Sequence, residues 1–302
     1  MSFVSRYLDP ALVERLNHLS LSARRIVEGS STGLHKSPFK GASIEFRQHR
    51  FYVAGDEPRR LDWRVLGRTD RFYVKEYDEE TNLRCMLMLD ASGSMAYGGS
   101  KAGGVTKFDY ASRLVASLAY LMLGNTEHVG LAIFGDRIER WIPPRSGTSQ
   151  LSQMIDSLEQ VTARGPSNPG HAMHQAADRL GRRSLVIVVS DFFATVPSIC
   201  QGLAHFGHDG HELIILRVLD LDELEFPFKT WTQLRGLEGE RPRLCEPAMV
   251  RSQYLDNFAR HARDLEDRCR SLKTEFAQMT TDRPLLESLT GFIQRREGRS
   301  VR

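Results

Sequence analysis

From Leu83 to Arg296, short apolar runs alternate with stretches of helical periodicity, and this alternation leaves few folds open. Leu185–Val189 is a continuous apolar run, and Leu83–Leu89, apolar except for Arg84, reads as a second buried strand that ends directly in Asp90. A strand that is apolar at every position is buried on both faces, as central strands of parallel sheets are. The pattern predicts strands over 83–89, 129–134, 185–189, 213–219 and 274–279, with a hairpin partner over 137–142. Between them, apolar residues at helical spacing predict helices over 106–123, 148–161, 171–180, 197–206, 252–272 and 284–296. Strands alternating with helices of this length call for an α/β fold: three layers, a mostly parallel sheet with helices on both faces.

This domain is expected over 83–297, with a less regular insertion at about 226–247 that can form a hairpin, and a tail at 298–302. Residues 1–82 read as an N-terminal extension. It carries a helix over about 10–20, a loop rich in Gly, Ser and Lys over 29–42, and strands over 43–53 and 71–77.

Charge and cysteine usage narrow the function classes. The net charge of the 302-residue chain is only +3, too small to imply a polyanion partner. The basic-looking stretch 47–80 holds eight Arg and Lys against eight Asp and Glu, whereas a phosphate track needs uncompensated cations. No nucleic-acid partner is expected, and Trp63 reads as a packing anchor rather than a stacking platform. The four cysteines are widely spaced without a C-x-x-C pair, which excludes zinc and thioredoxin-like sites. No apolar run reaches 18 residues and Met1–Pro10 has no signal-like core, so no membrane span and a cytoplasmic location are expected. The glycine-rich stretch Gly98–Gly104 lacks phosphate-loop spacing, and His171 and His174 lack a third ligand.

The sharpest local signal is Asp90-Ala91-Ser92-Gly93-Ser94-Met95, directly after a buried strand. It therefore sits at the carboxyl edge of the sheet, where open α/β folds place ligands. Asp90, Ser92 and Ser94 offer only carboxylate and hydroxyl oxygens, which suit Mg²⁺, with Ca²⁺ or Mn²⁺ as substitutes, rather than zinc or copper. Asp191 ends the run 185–189 at an equivalent place, although a residue there can also cap the next helix. Two strand-end aspartates and two hydroxyls make an octahedral site once water and one open position are added.

Asp-x-Ser-x-Ser after a first buried strand resembles the metal site of von Willebrand factor type A domains. Upstream, Glu45-Phe46, Arg50-Phe51-Tyr52 and the block Gly55-Asp56 to Asp62-Trp63, and downstream Thr281-Asp282-Arg283-Pro284, resemble the bacterial "domain of unknown function 58" family, which carries such a domain. The resemblance implies that Asp90, Ser92, Ser94 and Asp191 hold Mg²⁺, with the aspartates acting largely through water. It also implies a third hydroxyl from the loop near 164–169, supplied by Ser167 or by the nearby Thr162. Its members are commonly encoded beside MoxR-type AAA+ ATPases, which implies such an ATPase or its client as partner. On this reading the chain is a Mg²⁺-dependent protein-binding module and not an enzyme. The competing reading is a metal-dependent hydrolase or phosphatase, against which stands the lack of a second carboxylate two residues after Asp90.

Overall fold

The computed structural model describes residues 6–17, 44–53, 61–69, 71–79, 83–125, 127–181, 183–239 and 241–300. The chain divides into two compact units, Met1–Thr32 with Leu83–Arg302, and Gly33–Asn82. The loop expected over 29–42 and residues 55–60 of the upstream block lie outside the described residues.

Residues 10–17 form α1, started by the Asp9 carboxylate, which accepts a bond from Leu12 N at 2.8 Å. In the smaller unit, β1 (Ile44–Phe51) pairs antiparallel with β2 (Tyr73–Glu79), and α2 (Trp63–Thr69) lies between them in sequence. Asp62 is buried, and its carboxylate accepts from Val65 N at 3.3 Å, capping α2. Trp63 does not anchor packing as expected. The buried position at this helix start is Asp62, and the indole that follows is 63% exposed.

The larger unit contains β3 (Arg84–Asp90), α3 (Lys107–Gly124), β4 (His128–Phe134), β5 (Ile138–Arg145), α4 (Thr148–Glu159) and α5 (Pro169–Leu180). It continues with β6 (Leu185–Ser190), α6 (Val196–His208), β7 (Glu212–Leu219), α7 (Leu221–Glu225), β8 (Thr232–Leu234) and β9 (Arg243–Cys245). The remaining elements are α8 (Pro247–Ser271), β10 (Glu275–Thr280) and α9 (Leu285–Ser300). Six strands form one sheet in the order β10-β7-β6-β3-β4-β5, parallel except for β5.

Because side chains alternate along a strand, β3 feeds two separate cores. Cys85, Leu87 and Leu89 pack with residues of α1, α3, α4 and α9, whereas Met86 and Met88 pack with residues of α5, α6 and α8. The fold is thus the three-layer α/β arrangement that the alternation predicts. β8 and β9 form a small separate hairpin within the 226–247 stretch. Helix α8 begins at Pro247, five residues earlier than the periodicity suggests, because its first turn is largely exposed and carries no apolar pattern.

From β3 the chain crosses to β4 on one side, and after β5 it returns to β6 on the other side. Neighbouring strands β3 and β6 therefore diverge in connectivity at their carboxyl ends, and such a switch point opens a crevice. Their register runs from Cys85 beside Leu185 to Leu89 beside Val189, so Asp90 and Ser190 leave the sheet at the same level.

Candidate metal centre

Asp90 is fully buried at the end of β3, and its two oxygens organise the crevice. Oδ1 accepts from Ser92 N at 2.9 Å, which folds the loop back over the strand end. Oδ2 accepts from Ser190 Oγ at 2.6 Å and from Ser167 Oγ at 2.9 Å. A single 3₁₀ turn over Gly93–Ala96 follows, and the Ser92 and Ser94 hydroxyls meet at 3.2 Å. Burial first, and the Asp191 charge second, push the Asp90 carboxyl up to about 6, while bonds from Ser190 and Ser92 pull the other way.

The loop between α4 and α5 is tied onto the Asp90 loop by backbone bonds. Gly93 N donates to Gly165 O at 2.8 Å, and Arg164 N donates to Ala91 O at 2.9 Å. Asn168 then caps α5 by accepting from His171 N at 3.1 Å, which fixes Ser167 just ahead of the helix. Of the two hydroxyls left open by the sequence, Ser167 is the one that touches Asp90, and Thr162 is exposed.

Asp191 is fully buried one residue beyond β6. It does not cap α6, whose N-cap is Thr195. Its Oδ1 accepts from Phe193 N at 3.2 Å, and its Oδ2 accepts from Lys107 Nζ at 2.7 Å. Between these, Phe192 is held at φ 55, a strained conformation for a side chain of this size and a frequent mark of functional turns. Asp191 thus joins the cluster through its field on Asp90, with a buried cation at its other side.

That cation, Lys107, is the first residue of α3 and is completely buried. Its ammonium also bonds Glu223 Oε1 at 2.5 Å and lies 4.7 Å from the Phe193 ring centre. Burial alone would lower its pKa, but Asp191 and Glu223 outweigh burial and hold it above the ordinary lysine value. Arg217 lies on the same side, donating Nε to Asp191 O at 3.0 Å.

A residue from far along the chain closes the arrangement. Glu238, in the turn between β8 and β9, accepts from Ser94 N at 3.4 Å and from Ser167 N at 3.1 Å. The turn lies so close that a Cβ placed on Gly93 would come 1.9 Å from Leu237 O.

Asp90, Ser92, Ser94 and Ser167 therefore form one hydrogen-bonded cluster, with Asp191 behind it. Lys107, Ser190, Glu223 and Glu238 were not signalled by the sequence. Among the described residues no group of three or more His, Cys, Asp and Glu is arranged to hold a metal ion. The donors here are mainly hydroxyls, and their spacing is the relevant test. Oxygens sharing an octahedral Mg²⁺ lie about 3 Å apart, given bonds of roughly 2.1 Å. The Ser92 and Ser94 hydroxyls, 3.2 Å apart, match that edge, and the all-oxygen donor set suits a hard cation.

The other motifs resolve locally. Gly99 N donates to Asp220 Oδ2 at 2.9 Å and Lys101 pairs with Glu225 at 2.6 Å, so this glycine stretch serves packing rather than phosphate. His174 meets His205 at 2.9 Å, whereas His171 faces Asp136 O at 3.0 Å, so the two histidines do not converge.

An uncharacterised protein of Mycobacterium bovis is 26% identical over 297 residues, covering 96% of this chain and 92% of that protein. An uncharacterised protein of Mycobacterium tuberculosis matches to the same extent, 26% over 297 residues with the same coverage of both chains. Among solved structures, the conserved hypothetical protein BatB from Bacteroides thetaiotaomicron aligns with a TM-score of 0.44 at 15% identity, over 72% of this chain and 99% of that one. The SpRpn10 VWA domain aligns with a TM-score of 0.41 at 13% identity, over 70% of this chain and 95% of that one. The sequence profile of the family described as "Protein of unknown function DUF58" matches residues 48–264, well over half of the chain, and the protein belongs to that family.

Proposed function

We propose that the cluster holds Mg²⁺ through Ser92, Ser94 and Ser167, with Asp90 and Asp191 acting through water, and that it receives an acidic side chain from a protein partner. The observation that carries this reading is the linked set of the Ser92, Ser94 and Ser167 hydroxyls and the Asp90 carboxylate, with Ser92 and Ser94 Oγ 3.2 Å apart as neighbouring octahedral ligands are. When bound, the dication supplies positive charge that hydroxyls leave largely unneutralised, so a carboxylate is a favoured ligand. Asp191 contributes less charge than a free aspartate, because Lys107 already pairs with it.

A binding role rather than catalysis fits the same geometry. Both oxygens of Asp90 and of Asp191 are engaged by protein donors, so neither carboxylate stands ready as nucleophile or base. The family resemblance points to a MoxR-type AAA+ ATPase or its client as partner. A cytoplasmic location belongs to the same reading, supported by four free cysteines, two of them buried. No helix among the described residues is long and apolar enough to cross a membrane.

Two measurements test the proposal. At ten times its dissociation constant, Mg²⁺ should stabilise the fold by roughly 1.4 kcal/mol, about 2–5 °C in Tm, since only the folded chain assembles the site. No shift beyond matched ionic strength would remove the metal from the account. Co-purification with a MoxR-type AAA+ ATPase of the native organism should fall sharply with chelator and in Asp90→Asn. Complex formation indifferent to both would place docking elsewhere.

A further inference from the structure

We infer that Glu238 is the chain's own occupant of this site: the β8–β9 turn carries a carboxylate to the place where a partner's acidic side chain docks, and the partner must displace it. The inference rests on the metal-site reading above and adds a built-in competitor to it. Its basis is geometric. The two backbone amides that Glu238 accepts from belong to Ser94 and Ser167, on the two separate loops that present the site hydroxyls. An acidic side chain arriving from outside would meet the same two donors and the same hydroxyls.

The turn is fitted to the site rather than resting near it. Gly93 leaves room for Leu237 O where any side chain would collide, so the Asp90 loop and the turn are complementary in shape. The hairpin is also built to leave. Each strand has three residues, nearly all of the 231–244 stretch is exposed, and Glu238 is among the few side chains there that are partly covered. An isolated two-stranded hairpin of this size is marginal, so opening it requires little besides breaking the Glu238 contacts. A carboxylate on two amides can also serve merely to pin the hairpin, and the test separates that role from occupancy of the site.

The probe is Mn²⁺ alone, added to the full chain, with water-proton relaxation reporting how many exchangeable waters the bound ion retains. Glu238→Gln keeps the side-chain size but removes the charge. It should bind Mn²⁺ more weakly, and its bound ion should carry one more water than the wild type. Glu238→Ala should behave alike, and in it the Ser94 and Ser167 amides should exchange with solvent about tenfold faster or more, without any metal present. If both variants bind Mn²⁺ with the wild-type water count, Glu238 is only a hairpin anchor and the inference fails while the metal site stands. If the wild type binds no Mn²⁺, the metal reading itself falls and takes the inference with it. Amide exchange unchanged in Glu238→Ala also overturns the inference, since the contact it starts from would then be absent.

Discussion

Lys107→Ala should be the most damaging single substitution at the carboxyl edge of the sheet, with a loss of roughly 3–5 kcal/mol. The ammonium is fully buried between Asp191 and Glu223, and removing it leaves the buried Asp191 and the largely buried Glu223 without the cation that bonds them both. Arg217 donates Nε to the Asp191 backbone carbonyl and bonds neither carboxylate, so its charge offsets only part of that loss. The folded-state pKa of Lys107 is raised, so its contribution is complete at any pH below the ordinary lysine value and fades only above it. Denaturant unfolding at neutral pH should therefore show the whole loss, a large part of the 5–15 kcal/mol that folded domains typically possess. Pairing Lys107→Met with Glu223→Gln should restore part of it, because one unpaired charge is then gone. A loss below about 1 kcal/mol in Lys107→Ala would mean that the buried triad is not how the edge is held.

Asp90→Asn should act in the opposite direction. Burial, reinforced by Asp191, raises the Asp90 carboxyl from its ordinary 3.8 to about 6. A raised carboxyl pKa stabilises the fold fully below about 3.8, and that contribution disappears as pH rises through about 6. The metal-free wild type therefore loses on the order of 3 kcal/mol from this group between those limits. Asparagine retains an acceptor for Ser92 N without the buried charge, and the serine hydroxyls can turn to accept from its amide. In chelator at pH 7.5 the variant should melt several degrees above the wild type, and its stability should lack the decline between pH 4 and 6. Added Mg²⁺ should then raise the wild type and leave the variant unmoved. A variant less stable than the wild type in chelator would contradict the buried-charge account.

The frame of the fold was legible because its strands advertise themselves. β3 is apolar from Cys85 to Leu89 and β6 from Leu185 to Val189, and the polar residues that end them, Asp90 and Ser190-Asp191, mark where the sheet stops. The Asp90–Ser94 element was legible for the same reason, since its geometry is local. Ser167 was reachable only through the family pattern, because nothing within its own loop points at Asp90.

Lys107 was invisible for a physical reason: as the first residue of an amphipathic helix it reads as an ordinary solvated cation. Only the approach of Glu223 from α7 reveals a buried one. Glu238 lies 144 residues from Ser94 and 71 from Ser167, on a hairpin of weak periodicity. No local pattern ties it to either loop. Trp63 shows the reverse error, since a tryptophan in a charge-balanced stretch suggests packing, yet the buried position there is its neighbour Asp62.

The central claim is that one hard cation sits among Ser92, Ser94 and Ser167, and the location of Mn²⁺ tests it most directly. Crystals of the wild-type chain grown with Mn²⁺ should show a single anomalous-scattering peak at the manganese edge. Hydroxyl oxygens of these serines should lie about 2.2 Å from it, with Asp90 and Asp191 reached through water. No peak at the ends of β3 and β6 under saturating Mn²⁺, or a peak held by residues other than these and Glu238, would contradict the account.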